Sequence, residues 1–290
     1  MQNVSQLMQM QQLFVTCFVV AVATLILRTS ADDHRCDHPT KDTGYPPKVF
    51  HQVLNASVIN KYDEVVVIGD VHGCLDELKL LLEKSNTTGD NVLKVLAGDI
   101  TRKGPKSIGV IRFLRQTPSI ITVRGNNDQK ILMRHFKHHH FNYHLKKQDM
   151  FIVNMTMADF HFMQHLPYTI SMPSLNAVVV HGGLRPGVPL RHNQPYDMMN
   201  MRNLIKDSRC AGGYRPYNGD DKGARWAPLW QGPVHVYFAH DHPRNMQISP
   251  FATGLDTSCV YGRYLTGLFL KGPRKGQVVQ QKALKQYFHH

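Results

Sequence analysis

Asp70 and His72 stand two residues apart in Gly69-Asp70-Val71-His72-Gly73, close enough to reach one cation from a single tight turn. Four more short polar blocks follow: Gly98-Asp99, Arg124-Gly125-Asn126, His181-Gly182-Gly183 and Ala239-His240. Together they offer carboxylates, an amide and imidazoles, the donor mixture that suits Mn, Fe, Zn or Co. A bridged pair of divalent ions needs one shared ligand, and a carboxylate such as Asp99 has two oxygens to share. Asp70, His72 and Asp99 would then serve one ion, with Asn126, His181 and His240 completing the second. Two ions so held place a hydroxide in line with phosphorus and absorb charge on its oxygens, so the expected chemistry is metal-assisted phosphate hydrolysis. Taken alone, each residue has a plainer explanation: Asp70 or Asp99 as a helix N-cap, His72 as a loop histidine, Asn126 as a turn residue. Five blocks in this order favour the site.

Each block ends an apolar run. Val65–Ile68, Val92–Ala97 and Ile120–Val123 are continuous stretches of the kind buried on both faces of a sheet. Leu75, Leu78, Leu81 and Leu82, then Ile108, Ile111, Phe113 and Leu114, recur at helical spacing between them. Strand, helix, strand, helix, strand predicts a parallel sheet, whose ligands gather beyond the carboxyl ends of the strands, where the polar blocks lie. Further on, Ala177–Val180 and Val234–Phe238 lead into His181 and His240. Gln247–Ile248, Cys259–Tyr261 and Leu265–Leu270 are expected to be short antiparallel strands. The organisation expected is an irregular lead-in over 32–62, one domain over 63–275 with a substrate-facing cap inserted at 186–233, and a basic tail over 276–290.

The chain has 290 residues, enough for one sizeable core, and a net charge of +13. Such a surplus attracts polyanions through a long-range field, so a polyanionic phosphate substrate or an acidic polymer is an expected partner; no sequence-specific nucleic acid is expected. Leu13–Leu27 is almost wholly apolar over fifteen residues. That length falls short of the roughly 20 residues of a membrane span and matches a signal-peptide core. Residues 1–31 are therefore expected to be a signal peptide or a signal anchor, membrane contact to occur only there, and the protein to reach a secretory lumen. Asn55-Ala56-Ser57, Asn86-Thr87-Thr88 and Asn154-Met155-Thr156 are acceptor triplets compatible with glycosylation there. The cysteines are too few for a disulfide scaffold, although a Cys36–Cys210 bridge is open to them. The histidine-rich tract at 134–144 reads as a solvated helix end.

The ordered blocks resemble the calcineurin-like metallophosphoesterases, whose phosphoprotein-phosphatase branch carries G-D-x-H-G, G-D-x-x-x-R-G, G-N-H-E/D, H-G/A-G and G-H. Within that branch the chain most resembles the eukaryotic ApaH-like phosphatases, kin of bacterial diadenosine tetraphosphatases. Lys103-Gly104-Pro105, Met201-Arg202-Asn203, Gly223-Ala224-Arg225-Trp226-Ala227 and Leu255-Asp256-Thr257-Ser258-Cys259-Val260-Tyr261-Gly262 add to the likeness. The resemblance implies an α/β fold, a four-layer αββα sandwich of two mixed sheets. It also implies Asp70, His72 and Asp99 at one of two divalent ions and Asp99, Asn126, His181 and His240 at the other. With these, Asn127 and Asp128 of Gly125-Asn126-Asn127-Asp128 fall at catalytic positions.

The chain departs from the pattern at that point. Asn127 stands where the family has the histidine that protonates the leaving group, and Arg102 where relatives have the aspartate that orients it. Lys103 replaces the following arginine and Ala239 a glycine. An alkoxide leaving group benefits from general-acid help, typically by about 10² to 10⁴. A phosphate leaving from an anhydride is weakly basic and needs only positive charge, for which Arg102, Lys103, Arg124, Arg202 and Arg225 are the candidates. The expected substrate is polyphosphate or a dinucleoside polyphosphate. The alternatives are a serine/threonine protein phosphatase, an mRNA-cap hydrolase, or a protein that binds metal and phosphate without turnover.

Overall fold

Glu64–Ile68 is buried along its whole length, and its successive side chains enter different cores. Val65 and Val67 point one way, Val66 and Ile68 the other, as the two-residue period of a strand requires. The computed structural model that shows this describes Cys36 and residues 44–289, so the apolar segment Leu13–Leu27 lies outside the described residues. Among the described residues no helix is long and apolar enough to cross a membrane.

The strands are β1 (His51–Val53), β2 (Glu64–Ile68), β3 (Val92–Leu96), β4 (Ile120–Thr122), β5 (Thr169–Met172), β6 (Ala177–Val180), β7 (Asn203–Lys206), β8 (Tyr214–Tyr217), β9 (Ala224–Arg225), β10 (His235–Phe238), β11 (Gln247–Ser249), β12 (Ala252–Gly254), β13 (Tyr264–Lys271) and β14 (Val278–Lys282). One sheet runs β14-β13-β2-β3-β4, with β2, β3 and β4 parallel and β13 antiparallel to β2. The second runs β1-β5-β6-β10-β12-β11, with β6, β10 and β12 parallel. Both sheets are mixed. Val65, Val67, Leu93 and Val95 of the first pack against Ile170, Met172 and Val179 of the second. Outside the first sheet, Val66, Ile68 and Leu96 meet Leu78, Leu81, Val110 and Ile111 of the helices Leu75–Lys84 and Ser107–Gln116. Outside the second, Val180, Val236 and Phe238 meet Met198, Leu204 and Trp226 of the inserted segment. The result is the expected four-layer α/β sandwich.

The insert at 186–233 carries its own small antiparallel sheet, β8-β7-β9. A disulfide joins Cys210 in that insert to Cys36. Three details differ from expectation. The lead-in is not wholly irregular, because β1 pairs with β5 and Ala56–Ile59 is a helical turn capped by Asn55. Cys259–Tyr261 is a 3-10 turn rather than a strand, set between left-handed Ser258 and Gly262. The stretch read as a basic tail is tied to the domain through its described residues 276–289, because β14 closes the edge of β13 and Leu284 and Tyr287 bond to Glu77. The exposed edge of β13 supplies unpaired backbone groups, and the polar Gln280, Gln281 and Lys282 then make a soluble final edge.

Candidate metal centre

The first-sheet blocks follow consecutive parallel strands: Asp70 after β2, Asp99 after β3, Asn126 after β4. His181 and His240 follow the adjacent parallel strands β6 and β10 of the second sheet. Packing the two sheets therefore brings both sets to one end of the sandwich. The approach is close. A Cβ on Gly69 would lie 2.3 Å from the carbonyl oxygen of Leu255, and one on Gly125 would lie 2.1 Å from Asp99 Oδ1. His72, Asp99 and His240 all adopt left-handed backbone (φ 47°, 48° and 71°), a conformation that side-chain-bearing residues hold only where their surroundings impose it.

Asp70, Asp99 and His181 each present a ligand atom within 4.8 Å of the others. His72 Nε2 lies 3.5 Å from Asp70 and 3.4 Å from Asp99. Asn126 Oδ1 lies 3.3 Å from His181 Nε2. The rings of His181 and His240 are 4.9 Å apart, and the His240 backbone N–H reaches Asp70 Oδ1 at 3.4 Å. Each imidazole is held by a backbone carbonyl on one nitrogen: His72 Nδ1 by Thr101 O at 3.1 Å, His181 Nδ1 by Ala97 O at 2.8 Å, His240 Nε2 by Asn200 O at 3.0 Å. A carbonyl can only accept, so these contacts put a proton on that nitrogen and, in the neutral ring, leave the other as a lone-pair donor, the arrangement in which protein histidines hold metals.

The electrostatics fit a cation. Burial, aggravated by the Asp99 charge, leaves Asp70 raised to about 7 despite the pull of His181. Asp256 is pushed well above the ordinary carboxylate range by burial and by Asp70. Burial lifts Asp99 too, but His181 and His72 outweigh it and hold this carboxylate well below its usual range. Burial lowers His181, yet Asp99 and Asp70 overcome that and raise it to about 9. His72 is brought down to about 4 by burial and by the neighbouring Lys103 ammonium, whose Nζ stands 3.1 Å from His72 Nε2. Carboxylates crowded below the surface with imidazoles beside them form a donor set suited to divalent ions, and the Lys103 ammonium drawn to His72 Nε2 marks the attraction of this site for positive charge.

Two of the departures from the family pattern, Arg102 and Asn127, occupy one hydrogen-bonded chain. Arg102 donates from NH1 to Asn127 Oδ1 at 2.7 Å and from Nε to Asp149 Oδ1 at 2.9 Å. Arg134 also pairs with Asp149. With its oxygen engaged, the Asn127 amide directs Nδ2 at Asp99 Oδ2, and its backbone N–H bonds Asp99 Oδ1 at 2.8 Å. Arg102 is thus occupied by protein, and its expected place on substrate phosphate gives way to holding Asn127. Asp128 accepts from Gly125 N, Thr101 N and Thr101 Oγ1, and burial followed by Asp99 raises it to about 6. It braces the loop after β3 against the helix Asn126–Phe141.

The remaining cations divide. Arg202 lies at the rim, donating to His240 O at 3.2 Å and Asn218 O at 2.9 Å. Arg124 does not reach the site: its fully buried guanidinium donates to Tyr45 O, Gln129 Oε1 and Gln164 O. Arg225 is exposed on β9 opposite Asn203, with no hydrogen bond or ion pair to the cluster among the described residues. Sequence reasoning gave no role to Asp149, Asn200 or Asp256. Asp256 was visible only as part of Leu255-Asp256-Thr257-Ser258; the other two carried no signal, because Asp149 lies on a 3-10 segment and Asn200 acts through its backbone carbonyl, which no side-chain pattern reveals.

Comparison with known proteins points the same way. The calcineurin-like phosphoesterase family model matches residues 64–255. The symmetrical bis(5'-nucleosyl)-tetraphosphatase of Coxiella burnetii (strain CbuK_Q154) is 27% identical, covering 76% of this chain and 92% of that protein. The asymmetrical bis(5'-nucleosyl)-tetraphosphatase PrpE of Halalkalibacterium halodurans is 25% identical, covering 74% of this chain and 96% of that one. A crystal structure described as a candidate diadenosine tetraphosphatase superposes with a TM-score of 0.70 at 29% identity, covering 81% of this chain and 98% of that one.

Proposed function

The chain belongs to the calcineurin-like phosphoesterase family and is a phosphohydrolase that uses two divalent metal ions; we propose that the bonds it cleaves are phosphoanhydrides, in dinucleoside polyphosphates or inorganic polyphosphate. Asp70, His72 and Asp99 would hold one ion and Asp99, Asn126, His181 and His240 the other. When bound, the ions activate the attacking water and neutralise charge on the phosphoryl oxygens.

The carrying observation is the Arg102–Asn127 hydrogen bond. An amide whose oxygen accepts from a guanidinium, and whose nitrogen donates to Asp99, has no proton to give a leaving group. The reaction this pocket favours is one whose leaving group departs without an acid, which describes a phosphate leaving from an anhydride. Lys103 and Arg202 at the rim supply positive charge for it. The nucleoside tetraphosphatase activity named for the bacterial relatives agrees with this.

The test is a comparison of kcat/KM on tripolyphosphate, diadenosine tetraphosphate, capped RNA and a phosphoserine peptide, with each of the four metals. Anhydrides should lead by at least tenfold, and EDTA should abolish turnover. Equal or higher efficiency on the phosphopeptide would establish a protein phosphatase instead; binding of polyphosphate with no turnover under any metal would leave a non-catalytic protein.

We read the Cys36–Cys210 disulfide as favouring an oxidising compartment. Asn55, Asn86 and Asn154 are exposed, as glycan acceptors must be. Both support delivery to a secretory lumen, and glycosidase-sensitive mobility of the expressed protein tests it.

A further inference from the structure

Lys103 brings positive charge to the metal centre on a side chain that the fold does not place by itself. Its backbone is pinned: Arg102 and Lys103 are both left-handed (φ 75° and 68°), and the N–H of Gly104 donates to His72 O at 2.8 Å. From there an arginine would extend a rigid fork, whereas lysine extends an ammonium on a flexible four-carbon stem. Nζ lies 3.1 Å from His72 Nε2, but Lys103 cannot keep that contact once the same nitrogen serves as a metal ligand. The head group also stands over Tyr261, whose ring centroid is 5.2 Å from Nζ, a contact that no ligand role disturbs. We propose that Tyr261 is a positioning residue, its ring face holding the Lys103 ammonium where it meets the phosphate that leaves the anhydride. The proposal rests on the phosphoanhydride reading and deepens it by naming the side chain that aims its cation.

Three features suit Tyr261 to this role. The first is electrostatic. An aromatic face attracts an ammonium within about 6 Å of its centroid, more strongly where water is partly excluded. Lys103 and Tyr261 are both half-buried.

The second is that the ring is braced. His242 stacks on it with centroids 4.4 Å apart, and Phe288 meets it edge-on at 6.0 Å. The 3-10 turn Cys259–Tyr261 is tied down from behind, because the backbone N–H groups of Tyr287 and Phe288 both donate to Val260 O. Tyr287 OH in turn donates to Glu77 at 2.8 Å. The stretch after β14 thus fixes the ring, and a fixed ring narrows the positions open to a flexible lysine. The third is location. Tyr261 and Arg202 line one cavity of about 560 Å³, so an ammonium kept on Tyr261 stays beside the opening that Arg202 also lines.

The test combines Tyr261→Leu and Tyr261→Phe with Lys103→Met, as single and double variants of the full chain. Tyr261→Leu should lower kcat on tripolyphosphate about 3–30-fold, with KM moving less than about threefold. Tyr261→Phe keeps the ring face and should stay within about twofold of wild type. In a Lys103→Met background, Tyr261→Leu should cost no more than about twofold further, since the ring then has no ammonium to hold; a merely structural role would be felt equally in both backgrounds. Proton NMR of the zinc-loaded protein supplies a readout apart from turnover. The Lys103 ε-methylene protons, assigned by their loss in Lys103→Met, should be shifted upfield by the ring current in wild type and Tyr261→Phe, and return to the ordinary lysine position in Tyr261→Leu. An unshifted Lys103 in wild type, equal kcat losses in both backgrounds, or a Tyr261→Phe loss as large as that of Tyr261→Leu overturns the assignment. The wild-type spectrum needs no Tyr261 variant to fold. If the phosphoserine peptide outruns tripolyphosphate while the Lys103 shift depends on Tyr261, the phosphoanhydride reading falls alone. If tripolyphosphate leads and Tyr261→Leu matches wild type, the positioning role falls alone.

Discussion

Replacing Arg102 by Met should lower kcat and stability together while leaving KM for tripolyphosphate nearly unchanged. The guanidinium is buried and makes two charge-assisted hydrogen bonds, to Asp149 and Asn127. Bonds to charged groups contribute about 1.5–3 kcal/mol each. Asp149 keeps Arg134, so the loss stays below the roughly 3–5 kcal/mol of a buried carboxylate left with no partner. A total of about 2–4 kcal/mol follows, or a drop of roughly 5–15 °C in the unfolding midpoint of a domain this size. The rate effect comes through Asn127, whose amide is free to turn once its oxygen is released; turned, it would set an oxygen against Asp99 in place of a donor. Losing that bond should slow turnover by about 5–30-fold. In an Asn127→Ala background the further loss of Arg102 should cost no more than about twofold, because a residue acting through another is silent once the other is gone. Steady-state kinetics of the four proteins with thermal melts checks this. If KM rises tenfold with kcat unmoved, Arg102 binds substrate directly and the argument from its hydrogen bonds is wrong.

Three other outcomes follow from the same geometry. Arg124→Met should reduce stability by about 2–4 kcal/mol in denaturant titrations with KM unaltered, since it strands the carbonyls of Tyr45 and Gln164 rather than any substrate group. Gly125→Ala should cut kcat at least 100-fold and weaken metal uptake, read by bound-metal analysis, because its Cβ would collide with Asp99 at 2.1 Å in a packed site with no room to give. Glu64 is held below its usual range chiefly by its hydrogen bonds from Arg274. Its folded pKa is lower than its unfolded one, so its contribution, about 1 kcal/mol, is present at neutral pH and lost as pH falls through that lowered value. The stability gap between wild type and Glu64→Gln, measured by urea titration, should therefore close as pH falls below the ordinary glutamate range; a gap that widens on acidification contradicts the assignment.

Much of the site could be read from the chain because its ligands end buried strands, and such strands have a distinctive apolar pattern. Asp70, Asp99, Asn126, His181 and His240 each follow one. That signal gives position but not direction. Arg124 is two residues from Asn126, yet its side chain runs into the core toward Gln164, because the chain turns at Gly125 into the helix Asn126–Phe141. Asp149 and Asp256 sit on a 3-10 segment and a loop, where no periodicity points to them. β14 escaped notice because Val278-Val279-Gln280-Gln281-Lys282 lacks the alternation of a half-buried strand; it forms because the edge of β13 is there to receive it.

The backbone of the sheets also explains which part of the chemistry is free to vary. Ala97 N–H pairs with Ile68 O, and Ala97 O accepts from His181 Nδ1; Ala239 N–H pairs with His181 O. The groups that end the ladders thus orient the imidazoles, and a one-residue slip in either sheet would turn the ligands away from one another. The ligand geometry is bound to the register of the whole sandwich. Asn127 is not. It stands in the first turn of a helix, and its side chain is placed by Arg102, which Asp149 places in turn. Exchanging an acid and its orienting carboxylate for an amide and a guanidinium leaves every strand end where it was. The fold can therefore keep its pair of ions and change only the leaving group it expels without help.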